Sequence, residues 1–300
     1  MDALVVQAHA KVNLGLEILG RRTDGYHDVM TVLQEVDLAD TLTFADAPSV
    51  TLGCSRVDLA GETNLVLQAV SALQARAKTP AGVAIQIEKI IPVAAGLGGG
   101  SSDAAATLVG LNRFWELGLT DDQLTGLARS LGADVAFFLH GGTQVATGRG
   151  DQLEPLPTPA LPMLLVTPPS QLADKTRRLY QALQPADFSD GSRTREVAEA
   201  IRAGRPLRPE ILVNGFTRPA LELFPKLTET IELLRALGAE PLLGGAGPTL
   251  LVVGKSRGEL ADLTKAIQRD VAELGGAEVR LVESRPARLG RLDADAAGRV

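Results

Sequence analysis

Along the first fifty residues apolar and polar side chains alternate. The alternation predicts strands over 3–10, 12–19, 29–36 and 41–44, and a short one over 50–52. Arg21 to His27 interrupts it, and Asp24-Gly25 there is a hairpin-turn signal. The period then changes. Leu65, Val66, Val70 and Leu73 recur at helical spacing, which predicts a helix to about residue 77, capped by Thr63 or Asn64. Thr79-Pro80-Ala81-Gly82 is a break, and Val83 to Lys89 alternates again as a half-buried strand.

Beyond it, Asp103 to Trp115 is rich in alanine and leucine and reads as a helix. Thr120-Asp121-Asp122-Gln123 is a capping box opening the next. A short apolar segment, 134–139, ends at Gly141-Gly142 before a strand at 143–146. Four prolines then fall among the nine residues 154–162, without periodicity. That stretch is the expected boundary between an N-terminal domain, 1–156, and a C-terminal one, 157–287. In the second half the pattern predicts a strand at 163–167 and a helix at 171–183. Residues 187–209 are polar and expected to be partly loop. Helices follow at 219–224 and 228–237, a glycine-rich turn at 241–247, a strand at 249–253, a helix at 259–274 and a strand at 277–282. Residues 288–300 read as a disordered tail. Strands precede helices in each half, so the expected class is α+β in two domains, not a doubly wound βαβ sheet.

Composition narrows the function. The chain has 300 residues, 45% hydrophobic and 22% charged, as in an ordinary soluble globular protein. Its net charge is −6 and it has no basic block, so no nucleic-acid partner is expected. The longest apolar runs, such as Leu161 to Val166, are strand-length, so no membrane partner is expected either. One cysteine, Cys54, allows no internal disulfide and suits a reducing compartment, and no secretory leader is seen at the start, so a cytoplasmic location is expected. His9, His27 and His140 are scattered and lack metal spacing.

Chemistry concentrates in one stretch, PVAAGLGGGSSDAAATL, from Pro92 to Leu108. Gly96, Gly98, Gly99 and Gly100 lie between a predicted strand and a predicted helix. Glycine lets the backbone take φ > 0 and approach a ligand closely. The first N–H groups of a helix are unpaired and sit at the positive end of its dipole, which suits a phosphate. Ser101 and Ser102 add hydroxyls, either of which would also ligate a metal ion. The stretch is not a P-loop, since it has no lysine, and not the dinucleotide fingerprint, since Ser101 stands where the third glycine is required. A plain tight turn needs one or two glycines; four beside two serines favour the anion site.

GLGGGSSDAA resembles the phosphate loop of the GHMP kinases. The same family is matched by Ala10-Lys11-Val12-Asn13-Leu14, by Arg22-Thr23-Asp24-Gly25-Tyr26-His27 and by Leu131-Gly132-Ala133-Asp134-Val135. The likeness runs from about residue 8 to 282, specific in the first half and weaker in the second. It is closer to the branch that acts on a cytidine-diphosphate sugar alcohol in non-mevalonate isoprenoid precursor synthesis. The resemblance implies an S5-like N-terminal α/β domain and a ferredoxin-like C-terminal domain with the active site in the cleft between. It also implies ATP-dependent phosphorylation of the alcohol's 2-hydroxyl, Mg²⁺ accompanying the nucleotide, in a monomer or homodimer.

Phosphoryl transfer needs the triphosphate held, its charge neutralised and the hydroxyl oriented and deprotonated. Residue chemistry leaves Asp134 as either a base or a helix cap; the resemblance assigns it as the base. It places Lys11 beside that carboxylate, with Asn13, on the same strand face, orienting substrate. It gives the nucleotide to Val93, Ala94, Ala95, Gly96, Leu97, Gly98, Gly99, Gly100, Ser101, Ser102 and Asp103, and also to Asn64, whose residue reading is equally a helix cap. Aromatic residues are only 3% of the chain, yet Tyr26 lies in a polar loop, either as the packed tyrosine of a surface hairpin or, as the resemblance implies, where a cytosine ring would stack on it and His27 would bond the base edge. Tyr180 is the expected second face of that sandwich. Gly245, within Gly244 to Thr249, matches a motif that closes over the active site. Relatives carry a hydroxyl where this chain has Gly244 or Ala246, which leaves backbone contacts only. Asn214-Gly215 departs from the family's Asn-Asp, so Asn214 is given no chemistry. Two rivals remain: another GHMP kinase of homoserine or mevalonate type, against which the Tyr26 loop speaks, and a non-catalytic nucleotide-binding regulator, which would need neither Lys11 nor Asp134.

Overall fold

The computed structural model describes residues 3–61, 63–77, 82–170, 172, 174–270 and 276–287. The expected short N-terminal strands are two long ones. β1 (Leu4–Arg21) and β2 (His27–Ala45) pair antiparallel along their length, and Gly25 turns between them at φ 88°. Register shifts between His9/Lys11, Asn13/Gly15 and Ile18/Gly20 bend the ribbon without ending it. Every residue of β1 from Ala8 to Ile18 is buried, so Lys11 and Asn13 interrupt the apolar pattern while the strand continues.

β3 (Val50–Cys54), β4 (Val83–Glu88), β5 (Thr143–Thr147) and β6 (Gln152–Leu156) extend this sheet in the order β3-β4-β2-β1, with β5 pairing β2 and β6. β6 was not expected, since its pattern is obscured by Pro155. Four helices follow the chain between these strands: α1 (Leu65–Ala77), α2 (Gly99–Phe114), α3 (Asp121–Leu131) and α4 (Ala133–His140). The capping box on α3 is formed, Thr120 accepting from the Gln123 N–H and Gln123 from the Thr120 N–H. The helices bury Ala104, Ala105, Leu108, Phe137 and Phe138 against Leu42, Phe44, Ile85 and Ile87. Alanines and Gly110 bring α2 close to the sheet: a Cβ at Gly110 would lie 2.6 Å from the Phe44 ring.

β7 (Pro162–Thr167) starts a second sheet. The chain then runs through α5 (Lys175–Gln181) and α6 (Ser192–Arg202), and β8 (Val213–Asn214) returns to pair parallel with β1. α7 (Thr217–Leu223), α8 (Pro225–Ala236), β9 (Leu242–Leu243), β10 (Leu250–Val253), α9 (Arg257–Asp270) and β11 (Glu278–Glu283) complete the fold, the second sheet reading β11-β7-β10-β9. The architecture is α+β. α6 falls in the stretch expected to be partly loop. Its buried Thr194, Val197, Ala198 and Ile201 stand at helical spacing, masked in the sequence by five charged residues between them and around them. Val197, Ala198 and Ile201 pack with Ala10, Val12, Leu14, Val32 and Val36 of the first sheet and with Met163, Leu165 and Leu251 of the second, in one cluster. The expected tail, 288–300, lies outside the described residues, as do the last residues of the helix expected to reach 274.

Candidate active site

A cleft of about 700 Å³ opens where β1, the glycine loop, the start of α4, α5 and the turn after β9 meet. Its floor is fixed by backbone. The Lys11 N–H donates to Leu97 O at 3.0 Å, which ties the glycine loop to β1. Gly96 (φ 89°) and Gly98 (φ 74°) are left-handed, and both are crowded. A Cβ at Gly96 would lie 2.5 Å from Gly244 O, and one at Gly98 would lie 2.9 Å from the Phe138 ring. Gly100 differs, since a Cβ there would meet nothing within 4 Å. α2 begins at Gly99, so the N–H groups of Gly99, Gly100 and Ser101 have no intrahelical acceptor and stand at the cleft with the dipole's positive end.

Val93 to Ser101 line the cleft, as does Asp103. Ser102 is buried and is not part of the lining. Asp103 is buried too, and its Oδ2 accepts from Lys89 Nζ at 2.7 Å. The same ammonium donates to Asp40 Oδ2 at 2.5 Å, while Asp40 Oδ1 accepts from the Ile90 and Ile91 N–H groups. Asp103 is therefore an anchor for the first turn of α2. Its Oδ1 has no partner. Burial pushes its carboxyl up to about 7, with Lys89 pulling down against it and Asp40 adding to the rise. Lys89 and Asp40 were not foreseen as part of the site; they meet across 49 residues and carry no local pattern.

Lys11 and Asp134 come together as expected. Lys11 Nζ lies 3.7 Å from Asp134 Oδ2, with the lysine side chain 6% exposed and the carboxylate 41%. Gly132 is the residue before α4, and no side chain caps that helix, so Asp134 is left facing Lys11. Lys11 Nζ donates to Asn13 Oδ1 (2.8 Å), Asn13 Nδ2 to Thr31 Oγ1 (2.7 Å) and Thr31 Oγ1 to Gly15 O (2.6 Å). This chain of bonds fixes where the ammonium sits.

The turn after β9 closes the cleft from the other side. Gly245 has φ 57°, and a Cβ there would lie 2.7 Å from Gly96 O, 2.9 Å from Asn13 Oδ1 and 3.1 Å from Lys11 Nζ. Asn214 braces that turn, its Nδ2 donating to Leu243 O and Gly245 O, both at 2.7 Å. Lys175 Nζ donates to Gly247 O and also lines the cleft, and nothing in the sequence pattern pointed to it.

The aromatic residues are arranged differently from the expected sandwich. Tyr180 lines the cleft with Phe216 edge-on at 4.9 Å, and His27 is stacked on it at 4.8 Å and 24°. Tyr26 stands outside, 58% exposed, with the Arg149 guanidinium 4.6 Å over its ring. Neither Tyr26 nor His27 lines the cleft, while Arg149 does. Burial pushes the Tyr180 phenol up to about 12, Asp134 adding to the rise. Asn64 lines the cleft and also caps α1, its Oδ1 accepting from the Val66 N–H at 2.8 Å. Among the described residues no group of three or more His, Cys, Asp or Glu could hold a metal ion, and no helix is long and apolar enough to cross a membrane.

Residues 64–142 match the family described as GHMP kinases N terminal domain. The 4-diphosphocytidyl-2-C-methyl-D-erythritol kinase of Gloeobacter violaceus is 39% identical over 264 residues, 86% of this chain and 87% of that one. The enzyme of the same name from Pelotomaculum thermopropionicum is 40% identical over 267 residues, 87% and 90% of the two chains. A crystal structure of 4-(cytidine 5'-diphospho)-2C-methyl-D-erythritol kinase superposes with a TM-score of 0.76 at 33% identity, covering 93% of this chain and 98% of that one. Homoserine kinase from Cytophaga hutchinsonii superposes at 0.72 with 15% identity over 97% and 96% of the two chains, a likeness of fold alone.

Proposed function

The chain belongs to the 4-diphosphocytidyl-2-C-methyl-D-erythritol kinases, a branch of the GHMP kinases, and from that membership we propose how its cleft carries out the reaction. It transfers the γ-phosphoryl group of ATP to the 2-hydroxyl of 4-diphosphocytidyl-2-C-methyl-D-erythritol, a step toward isoprenoid precursors. The observation that carries this reading is the Lys11–Asp134 pair, 3.7 Å apart, at the same cleft as the unpaired N–H groups that open α2.

The triphosphate lies against the N–H groups of Gly99, Gly100 and Ser101, where the dipole favours negative charge and the left-handed glycines leave room. Asp134 accepts the proton of the 2-hydroxyl as its oxygen attacks the γ-phosphorus; the bond from that phosphorus to the bridging oxygen breaks and ADP leaves. Lys11, held by Asn13 and Thr31 beside Asp134, meets the charge that develops on the phosphoryl oxygens. The Ser101 hydroxyl, which lines the cleft, would be the protein group that holds Mg²⁺ accompanying the nucleotide. When bound it would neutralise phosphate charge. The cytosine is received at Tyr180 and Phe216, which line the cleft, with His27 stacked on Tyr180 and Tyr26 under Arg149 nearby. Asn64 contacts the nucleotide from the end of α1. The protein acts in the cytoplasm.

ADP release with ATP and Mg²⁺ tests this, run separately with the cytidylated alcohol, homoserine, mevalonate and galactose. Release with the first alone is the expected result. Release with another alcohol would keep the Lys11–Asp134 mechanism and overturn the substrate. Tight ATP binding with no release would leave a nucleotide-binding regulator.

A further inference from the structure

Lys175 is a cation in the cleft to which the reaction above gives no task. It opens α5, lines the cleft with Lys11, Ser101 and Asp134, and its Nζ is held by Gly247 O. That carbonyl belongs to the turn that overlies the phosphate loop: a Cβ on Gly96 would lie 2.9 Å from Gly247 N and 3.1 Å from Gly247 O. Lys11 Nζ reaches the same turn at Gly245. Two ammonium groups therefore flank the junction of the two glycine loops. Burial first, then the like charge of Lys11, push the Lys175 ammonium down to about 7. A half-buried ammonium bonded to one carbonyl and facing a like charge is unfavourable until an anion joins it.

We propose that Lys175 is a phosphate contact, its ammonium binding a phosphoryl oxygen brought to the junction of the two glycine loops. The proposal rests on the kinase reading only for the anion's identity, which is either the nucleotide's triphosphate or the diphosphate of the cytidylated alcohol. Lys11 from β1, Asp134 from α4 and Arg149 line the cleft with Lys175, and Asp174, Arg177, Arg178 and Tyr180 lie beside it on its own segment. α7, packed on α5, brings Arg218 and Glu222, which pair with each other and, through Arg218, with Asp187. The turn from Gly244 to Gly247 brings none. An arriving anion raises the lysine's pKa, so binding takes up a proton above pH 7 and none where the lysine is already charged.

Isothermal titration in two buffers of different ionisation enthalpy, at pH 8 and at pH 5.5, reads that proton. The probes are inorganic tripolyphosphate, a non-hydrolysable ATP analogue and the cytidylated alcohol without nucleotide. At pH 8 the wild type takes up about one proton with tripolyphosphate and with whichever natural ligand reaches Lys175, and at pH 5.5 close to none. Lys175→Met abolishes the uptake and weakens binding of the same probes about tenfold to a hundredfold. Lys175→Arg, charged throughout, binds without uptake, and its thermal midpoint confirms that the fold is kept. Binding of all three probes left unchanged in Lys175→Met overturns the assignment. The kinase reading fails by a different result, no ADP release by the wild type, and the tripolyphosphate titration still reads Lys175 in that event.

Discussion

Replacing Asp134 by asparagine removes the proton acceptor and leaves the loop that holds the triphosphate. Turnover is expected to fall by about 10²–10⁴ while nucleotide affinity, measured by titration, stays within about threefold. A variant that retains most of its turnover would sink the base assignment. Asp103 makes a different prediction. Its carboxyl, near 7 when folded and near 4 when unfolded, has a raised pKa, so the protonated form favours the folded state. The stability this lends is full below about pH 4 and is lost as the pH rises through about 7. Lys89, also raised, titrates above that window. Asp103→Asn keeps the shape of the protonated form at every pH, so its urea midpoint should gain on the wild type between pH 5 and pH 8; a difference that stays constant would mean that Asp103 ionises normally. The contrast between these residues explains what the sequence could reveal. Lys11 and Asp134 lie in local motifs that announce them. Lys89 meets Asp40 across 49 positions and Lys175 meets Gly247 across 72. Partners brought together by the sheet topology leave no trace in local spacing.

The elements that carry the site are the two glycine turns and the helix behind one of them. Gly98 and Gly100 look alike in sequence, yet they differ in what they require. At Gly98 the backbone is left-handed and a Cβ would strike Phe138, so Gly98→Ala should cost about 1–3 kcal/mol in urea unfolding and weaken nucleotide binding at least about tenfold. At Gly100 the helix has begun and the space is open, so Gly100→Ala should leave stability unchanged or raise it by up to about 1 kcal/mol. Equal losses at both would show that the loop is not held by its left-handed glycines. Strand ends were legible where turns or glycines punctuate them, as at Gly25. In β1 the apparent end at residue 10 is no end: Lys11 breaks the apolar pattern, yet it is buried within a strand that continues. α6 was hidden too: its narrow apolar stripe is diluted by charge, and only its packing partners reveal it.

At the scale of the molecule, the change of sheet falls inside the proline-rich segment, between Leu156 and Pro162, and we place the domain boundary there. The two halves are nonetheless joined. β8 from the second half pairs with β1, and the cluster around Ala10, Val12, Leu14, Val32 and Val36 is completed by α6 and the second sheet. Burying a Val or Leu side chain contributes about 1.5–3 kcal/mol, so the several at this junction outweigh the stability margin of an ordinary domain. Unfolding should therefore be one cooperative transition, with the calorimetric enthalpy equal to the van't Hoff enthalpy. A fragment ending at Leu156 would expose that cluster and should bind a hydrophobic dye without a sigmoidal unfolding curve. Two resolved transitions in the whole chain, or a fragment that unfolds cooperatively, would show instead that the halves fold alone. Closure of the cleft would then be a rigid motion of two bodies.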